Sequence, residues 1–175
     1  TLLIIGRILM LRSGPQDLPF SSNLLVVSIA AGILTNILSL TVTGAALNAI
    51  PQTVLATVIS AVYVVGLLQI RDRLTRTTQA LSALFATQAV LGLLALFPLK
   101  ALSPVLQAIA ENPDMASELQ APGVPLMAWM ALGIWSVVVT AHVLRHALDV
   151  QFIAGVGLAI LQGLLVWLVL LPFAA

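Results

Sequence analysis

The residues of this chain whose types and spacing best suit chemistry are two histidines and an aspartate. His142, His146 and Asp149 lie at positions i, i+4 and i+7 of the stretch HVLRHALD, so one helical face can carry all three side chains. Two imidazoles and a carboxylate can bind a divalent metal ion. However, Arg145 brings a positive charge close to them, and Asp149 can lie in the following turn and pair with that arginine. We therefore predict a polar helix end with no cofactor, and keep a metal site as the alternative.

Composition indicates the solvent that surrounds the chain. Of its 175 residues, 61% are hydrophobic and only 7% are charged, whereas about 25% of residues are charged in an ordinary soluble domain. A water-soluble fold could not cover its surface with so few charges, so the surrounding solvent has to be lipid. The chain has no cysteine, which excludes disulfides, thiolate nucleophiles and cysteine-based metal sites. Its net charge of +1 gives no reason to expect a nucleic-acid partner.

Five segments are long and apolar enough to form membrane-spanning helices, each of which needs roughly 20 residues. Short polar or turn-forming stretches separate them, except for a longer region after the third. We predict an all-α integral membrane protein with five transmembrane helices in one domain of residues 24–175. The predicted spans are residues 24–47, 52–70, 78–98, 125–145 and 151–172.

Two further helices are predicted outside these spans. The opening TLLIIGRILMLR, residues 1–12, is apolar but too short to cross a bilayer, and it carries Arg7 and Arg12. It is predicted to be an N-terminal interfacial helix; a signal peptide is disfavoured because Arg7 interrupts the apolar run. Between spans 3 and 4, apolar residues at helical spacing predict an amphipathic helix on the outer leaflet. These residues are Leu99, Leu102, Leu106 and Ile109.

A polar stretch, LRSGPQDLPFSSN, joins the interfacial helix to the first span. Gly14 and Pro15 are expected to end the interfacial helix, and Pro19 to keep the residue before it extended. One of the final residues SSN is expected to cap the first span. Residues 13–23 are therefore predicted to form a cytoplasmic elbow, in which Asp17 pairs with an arginine and has no catalytic role. The candidate arginines are Arg12, Arg71, Arg73 and Arg76.

Basic residues lie almost entirely on one side of the predicted spans. Six arginines fall on the side of the N-terminus, whereas Lys100 is the one basic residue on the other side. Because lysine and arginine next to spans are retained in the cytoplasm, we predict a bacterial inner-membrane protein with its N-terminus in the cytoplasm and its C-terminus outside. The six residues are Arg7, Arg12, Arg71, Arg73, Arg76 and Arg145.

Small and hydrogen-bonding residues line one face of the first span and one face of the last. Helices in lipid associate through such faces, so we predict contacts between spans, with other membrane chains, or between copies of this chain. The residues are Ser28, Gly32, Asn36, Ser39 and Thr43 in the first span and Gly155, Ala159 and Gly163 in the last. A polar conduit along Asn36 and its neighbours is the alternative.

The middles of the spans contain no charged residue, which disfavours an ion-coupled carrier, because such carriers use ionisable groups inside the membrane. The strongest polar groups left in or near the bilayer are uncharged and can hydrogen-bond between helices. They are Gln69, Gln79, Gln88, Gln162, Thr57, Ser60, Tyr63, Ser82 and Thr87.

The stretch RDRLTRTTQALSALFATQAVLGLLALFPL, followed by WSVVVTAHVLRHAL, resembles the third and fourth spans of small bacterial membrane proteins of the Yip family. The resemblance covers residues 60–170. It implies five spans, a cytoplasmic N-terminus and a membrane-organising or adaptor role, with no catalytic residue to carry over. The eukaryotic trafficking members have a long soluble N-terminal region that these residues do not match, so no vesicle role is implied. The resemblance rests on the apolar pattern and on Arg73, Gln79, Trp135, His142, Arg145, His146 and Ala147.

Three classes of function remain open. The favoured class is a non-enzymatic scaffold, adaptor or accessory subunit that binds other membrane chains or itself, with membrane lipids around it. The second is a channel or carrier for a small neutral or lipid-like molecule, which would use the amides of Asn36, Gln88 and Gln162. The third is a membrane protein with the metal site described above.

Overall fold

The structure, a computed structural model, describes residues 1–44, 49–112, 114 and 118–173. These residues form an all-helical fold in which five helices are long and apolar enough to cross a membrane. A short helix, α1, precedes them. The helices are α1 (Leu2–Leu9), α2 (Ser22–Val42), α3 (Ala49–Ile70), α4 (Thr77–Glu111), α5 (Gly123–Leu148) and α6 (Phe152–Leu170).

The start of α2 confirms the predicted cap. The Ser21 hydroxyl accepts a hydrogen bond from the Leu24 backbone amide at 3.3 Å, which satisfies one of the amides that a helix start leaves without a partner. The prediction that the first span extends to residue 47 falls partly on residues 45–47, which lie outside the described residues.

The five long helices form a ring. α2 packs against α4, α4 against α5, α5 against α6, α6 against α3, and α3 against α2. In α4, 56% of the most apolar stretch is buried inside the protein, whereas the corresponding share in each of the other four long helices is only 17–22%. α4 is therefore the most enclosed of the five. Large apolar side chains such as Val26, Val62, Ile134 and Trp167 are exposed on the outer faces, as expected for surfaces in contact with lipid.

The boundary predicted at the end of the third span is wrong. Instead of a span that ends at Pro98 and a separate outer helix, α4 continues to Glu111 through both Pro98 and Pro104. A proline inside a helix leaves the carbonyl four residues earlier without its amide donor. For Pro104 that carbonyl belongs to Lys100, and the Ser103 hydroxyl donates to it at 2.9 Å. The predicted amphipathic helix is therefore the last part of α4.

The apolar face of this last part packs within the chain. Leu99 and Leu102 are buried, and Leu102, Leu106 and Ile109 enclose a small apolar space together with Leu126 and Trp129 of α5. The helix ends where expected, because Asn112 is extended (φ −142°, ψ 93°), as the residue before a proline usually is.

Two glycines allow close helix packing. A Cβ atom on Gly155 of α6 would lie 2.5 Å from the backbone oxygen of Ala141 in α5. A Cβ atom on Gly92 of α4 would lie 2.6 Å from the Thr35 methyl group of α2. Both distances are too short for real contacts. The Thr35 methyl group can move with its side chain, whereas the Ala141 backbone oxygen cannot, so Gly155 is the position that requires a glycine. Neither Gly92 nor Thr35 was predicted as a contact residue, although both lie in the apolar spans that pack most closely.

One long-range hydrogen bond joins α3 to α6. The Tyr63 hydroxyl donates to the Leu158 carbonyl at 2.9 Å, so Tyr63 does bond between helices as predicted for the polar groups of the spans. Ser39 and Thr43 of α2 behave differently, since their hydroxyls donate to carbonyls of their own helix. They are half-buried and make no hydrogen bond to another helix within the described residues.

Candidate functional site

A polar cavity lies inside the ring of helices, near the middle of the spans. Its volume is about 260 Å³, several times the ~30 Å³ that one water molecule occupies in the liquid. All five long helices contribute to its wall. Three amides face it, from Asn36 on α2, Gln88 on α4 and Gln162 on α6. The three residues that the sequence suggested for a conduit are thus brought together by the fold.

Gln162 is the most deeply buried of the three amides. Its side chain is only 4% exposed, and its carbonyl oxygen Oε1 has no hydrogen-bond partner in the described part of the chain. A buried polar atom without a partner costs about 1–3 kcal/mol, and a spanning helix offers no bulk water to offset that cost. Of the three such atoms in the described part of the chain, those of Thr53 and Ser82 belong to residues away from the cavity wall, and Gln162 is the residue that lines it.

The other two amides also have free hydrogen-bonding capacity. The Asn36 amide nitrogen donates a long bond of 3.4 Å to the Gly32 carbonyl of its own helix, and its carbonyl oxygen accepts no hydrogen bond within the described residues. The Gln88 side chain is half-buried and makes no hydrogen bond within the residues that the structure describes. Since each amide has both donor and acceptor atoms, the cavity can bind groups of either kind.

Hydroxyl groups complete the polar lining. Thr57 and Ser60 come from α3, and Ser136 and Thr140 come from α5. Thr57 donates its proton to the Thr53 carbonyl at 2.8 Å, so its hydroxyl oxygen can act only as an acceptor towards a ligand. Ser136 and Thr140 were not singled out from the sequence. Their spacing of four residues on one span is the signal that could have identified them.

None of the residues that line the cavity is ionisable. An ion would have to shed its water without gaining an opposite charge, which is costly in a medium of low dielectric constant. The cavity therefore suits a neutral molecule that forms several hydrogen bonds.

A second, more apolar space adjoins this cavity between α2, α4 and α5. It measures about 390 Å³ and shares Asn36, Gln88 and Ser136 with the cavity. The rest of its wall is mostly apolar and includes Leu91, Ala95, Trp129, Met130 and Gly133. We call this second space the groove. Trp129 and Met130 are 45% and 54% exposed, so the groove opens on the outer face of the helix bundle.

The predicted contact faces divide between helix packing and this cavity. Ser28 and Gly32 are buried. A Cβ atom placed on Gly32 would lie 3.7 Å from Phe85 of α4. Gly155 and Ala159 are buried as well. Gly163 is exposed, and a Cβ atom placed on it would have no other atom within 4 Å. The faces predicted to bind other chains are thus largely used within this chain.

The histidine cluster lies elsewhere, at the end of the bundle that carries Arg71, Arg73, Arg76 and Arg145. We call it the basic end. His142 Nε2 donates to the Ser13 carbonyl at 2.9 Å, since a carbonyl can only accept. The His146 ring packs edge-on against the His142 ring, with the ring centroids 4.6 Å apart.

The predicted partner of Asp149 is wrong. Its carboxylate pairs with Arg73 across the helix ends at 3.2 Å, and Arg145 instead donates to His146 Nε2 at 3.3 Å. Asp149 ends α5 in the left-handed conformation (φ 58°, ψ 54°), which carries its side chain off the histidine face. Among the residues that the structure describes, no group of three histidine, aspartate or glutamate side chains could hold a metal ion.

The elbow is a fixed part of the basic end. α1 ends at Leu9, earlier than predicted, and Pro15–Asp17 form a short 3₁₀ turn. The Asp17 carboxylate accepts from the Gly14 amide at 2.9 Å and makes no ion pair with a described arginine, so its predicted pairing is wrong. The Gln79 side chain donates to the Leu18 carbonyl at 2.6 Å, which ties the elbow to α4.

Arg76 caps the end of α5, and its loss is expected to destabilise the fold. Its guanidinium donates to the carbonyls of His146 and Ala147 at 3.0 and 3.3 Å, where α5 leaves carbonyls without amide partners. Hydrogen bonds of a charged group contribute about 1.5–3 kcal/mol. We expect Arg76→Gln to lower the free energy of unfolding by about that amount, measured by thermal unfolding in mild detergent.

Arg12→Gln is the matched control for Arg76→Gln, because it removes the same charge. The Arg12 side chain is exposed and has no hydrogen bond or ion pair within the described ranges. Equal melting temperatures for the two variants would contradict the capping role of Arg76.

The comparisons with known proteins add no relative to this geometry. No family model matches the chain, and no similar curated protein or solved structure was found. The resemblance to the Yip family therefore stays a prediction from the sequence.

Proposed function

We propose that the chain binds a small neutral molecule in the polar cavity and carries it through or within the membrane. The observation that supports this proposal most is the buried Gln162 amide, which lines a cavity of about 260 Å³ and whose carbonyl oxygen has no partner within the described residues. The same wall holds the Asn36 and Gln88 amides. A molecule with hydroxyl or amide groups would satisfy all three side chains, which lipid tails cannot do.

Glycerol is a suitable probe, because it is neutral, small and rich in hydroxyl groups. In liposomes that contain the purified protein, we expect glycerol flux above that of protein-free liposomes, followed by light scattering. Asn36→Leu is expected to lower the protein-dependent flux about tenfold, the effect of losing roughly 1.4 kcal/mol of interaction. The measurement compares initial rates at equal protein density.

Thr41→Val is the control for this experiment. Thr41 lies on the same helix but is exposed, and its hydroxyl donates to the Ile37 carbonyl of its own helix. If Asn36→Leu and wild type give the same flux, or if Thr41→Val lowers it equally, the cavity is not the route.

A scaffold or accessory role is the weaker candidate, because Gly155 and Ala159 are buried within the chain. Gly163, the third residue predicted on that face, is exposed but lines the polar cavity. The Yip-family resemblance supports this role. A scaffold role predicts a stable oligomer or partner complex in mild detergent. A monomeric mass in size-exclusion chromatography would count against this role.

We further propose that the basic end faces the cytoplasm of a bacterium and that the chain lies in its inner membrane. The support is the charge asymmetry, with arginines concentrated at the basic end and a strong preference of such residues for the cytoplasmic side.

The absence of cysteine allows a direct test of this orientation. Thr75→Cys at the basic end and Gln120→Cys at the other end both replace exposed, uncharged residues. In intact bacterial cells, an impermeant maleimide is expected to label Gln120→Cys and to leave Thr75→Cys unlabelled until the cells are broken. The reverse pattern would invert the proposed orientation.

A further inference from the structure

We infer that the molecule bound in the cavity is the head of a neutral single-chain lipid whose apolar chain lies in the groove. The ligand class is an uncharged amphiphile with hydroxyl groups on its head, such as a monoacylglycerol. This inference rests on the proposed function, because it names the kind of molecule that the same cavity takes.

The cavity continues into the groove. The cavity and the groove share Asn36, Gln88 and Ser136, which stand at their boundary. On one side of this boundary the wall is rich in amides and hydroxyls. On the other side it is formed mainly by apolar residues such as Leu91, Ala95 and Met130. A polar space that continues into an apolar one matches a molecule with a polar head and an apolar tail.

The hydroxyl groups of the head can bind to the side-chain amides on the cavity wall. Gln162 lines this wall, and its Oε1 atom is buried without a partner in the described residues, so a ligand O–H group would donate to it once the amide turns about its last torsion. The Gln88 amide makes no hydrogen bond in the described structure, so it can donate to or accept from a second hydroxyl. The absence of ionisable residues from both walls disfavours phosphate and carboxylate heads, whose charge would be buried without a counter-ion.

The apolar chain gains little by leaving lipid for an apolar groove, because both surroundings are equally apolar. The hydroxylated head leaves the hydrated interface of the bilayer on binding, so it exchanges hydrogen bonds with water for hydrogen bonds with the cavity wall. The amides and hydroxyls of the cavity therefore have to replace the lost water, and the groove only has to leave room for the chain. Its opening on the outer face gives such a ligand a route in from the membrane.

Gly133 provides a variant that separates the chain from the head. It lines the groove but not the cavity, and no atom lies within 4 Å of a Cβ atom at this position. Gly133→Phe would therefore fill the groove without an initial clash. Gly157→Phe is its matched control, since Gly157 has the same free space on α6 and is absent from the lining of both spaces.

The experiment measures retention of radiolabelled 1-oleoylglycerol by the purified full chain in nanodiscs, after subtraction of empty nanodiscs. We expect the wild-type protein to retain the lipid saturably. In both Gln162→Leu and Gly133→Phe, retention is expected to fall at least about tenfold, which corresponds to a loss of roughly 1.4 kcal/mol or more of binding free energy. Gly157→Phe is expected to retain the lipid as wild type does. Labelled oleate, which has the same chain and a charged head, is expected to be retained at least tenfold less.

Other outcomes separate this inference from the proposed function. If glycerol flux depends on Asn36 while 1-oleoylglycerol retention is absent or insensitive to Gly133→Phe, the inference is overturned and the proposed function stands. If neither glycerol flux nor lipid retention depends on the amides, both are overturned. Retention of oleate as strong as that of 1-oleoylglycerol would overturn the neutral head group.

Discussion

The replacement of Gly155 by alanine is expected to lower the free energy of unfolding by about 1–3 kcal/mol, the usual cost of forcing atoms into a packed interior. The new methyl group would lie 2.5 Å from the Ala141 backbone oxygen and 3.3 Å from the Arg145 Cβ atom. A backbone oxygen cannot rotate away as the end of a side chain can. α6 would therefore have to shift away from α5, which would disturb the basic end at Arg145 and the cavity wall at Ala159.

Thermal unfolding in mild detergent, followed by tryptophan fluorescence, measures this effect. Gly157→Ala is the matched control, because it adds the same methyl group to the same helix where no atom lies within 4 Å. There the substitution is expected to be neutral or to stabilise by up to about 1 kcal/mol, since alanine favours a helix over glycine. If Gly155→Ala melts no lower than Gly157→Ala, the close approach of α5 and α6 is refuted.

This result also bears on assembly. The sequence predicts that Gly155 lies on a contact face, which can meet another span or another chain. Because Gly155 is buried against α5 of its own chain, a bulky substitution at this position would disturb the monomer first. Gly163 is exposed but also lines the cavity, so a bulky residue there would affect the cavity as well as any contact with another chain.

The second large effect is expected at Gln162, where stability and function should move in opposite directions. Leucine has a similar size but no polar atoms, so Gln162→Leu removes the buried oxygen that has no partner. We expect the free energy of unfolding to rise by about 1–3 kcal/mol, the cost of such an atom. Glycerol flux is expected to fall about tenfold or more, because the ligand loses a central hydrogen-bond partner.

This opposition is what distinguishes a binding residue from a structural one, since sites kept for function often cost stability. Gln69→Leu is the control, because Gln69 is exposed outside the cavity and its side chain makes no hydrogen bond within the described residues. We expect it to leave flux unchanged. A Gln162→Leu variant that unfolds more easily than wild type would assign Gln162 to the packing of the helices instead.

The sequence determined the class of fold and the number of spans. Long apolar runs can satisfy their backbone groups in lipid only as helices or closed barrels, and their length of about 20 residues favours helices. The cap at Ser21 could also be predicted, because it depends on neighbours three residues away. The continuous α4 could not, since a hydroxyl next to Pro104 offset the missing amide where the usual effect of proline is to break the helix.

The candidate site was visible in the sequence only as scattered polar residues. Asn36, Gln88 and Gln162 could be recognised as amides within apolar segments, but their distance along the chain carries no information on which helix faces meet. The tertiary structure decided that all three face one cavity, while the more regular motif of His142, His146 and Asp149 is divided among other partners. Spacing along a helix fixes which residues share its face, but only packing between helices decides what that face meets.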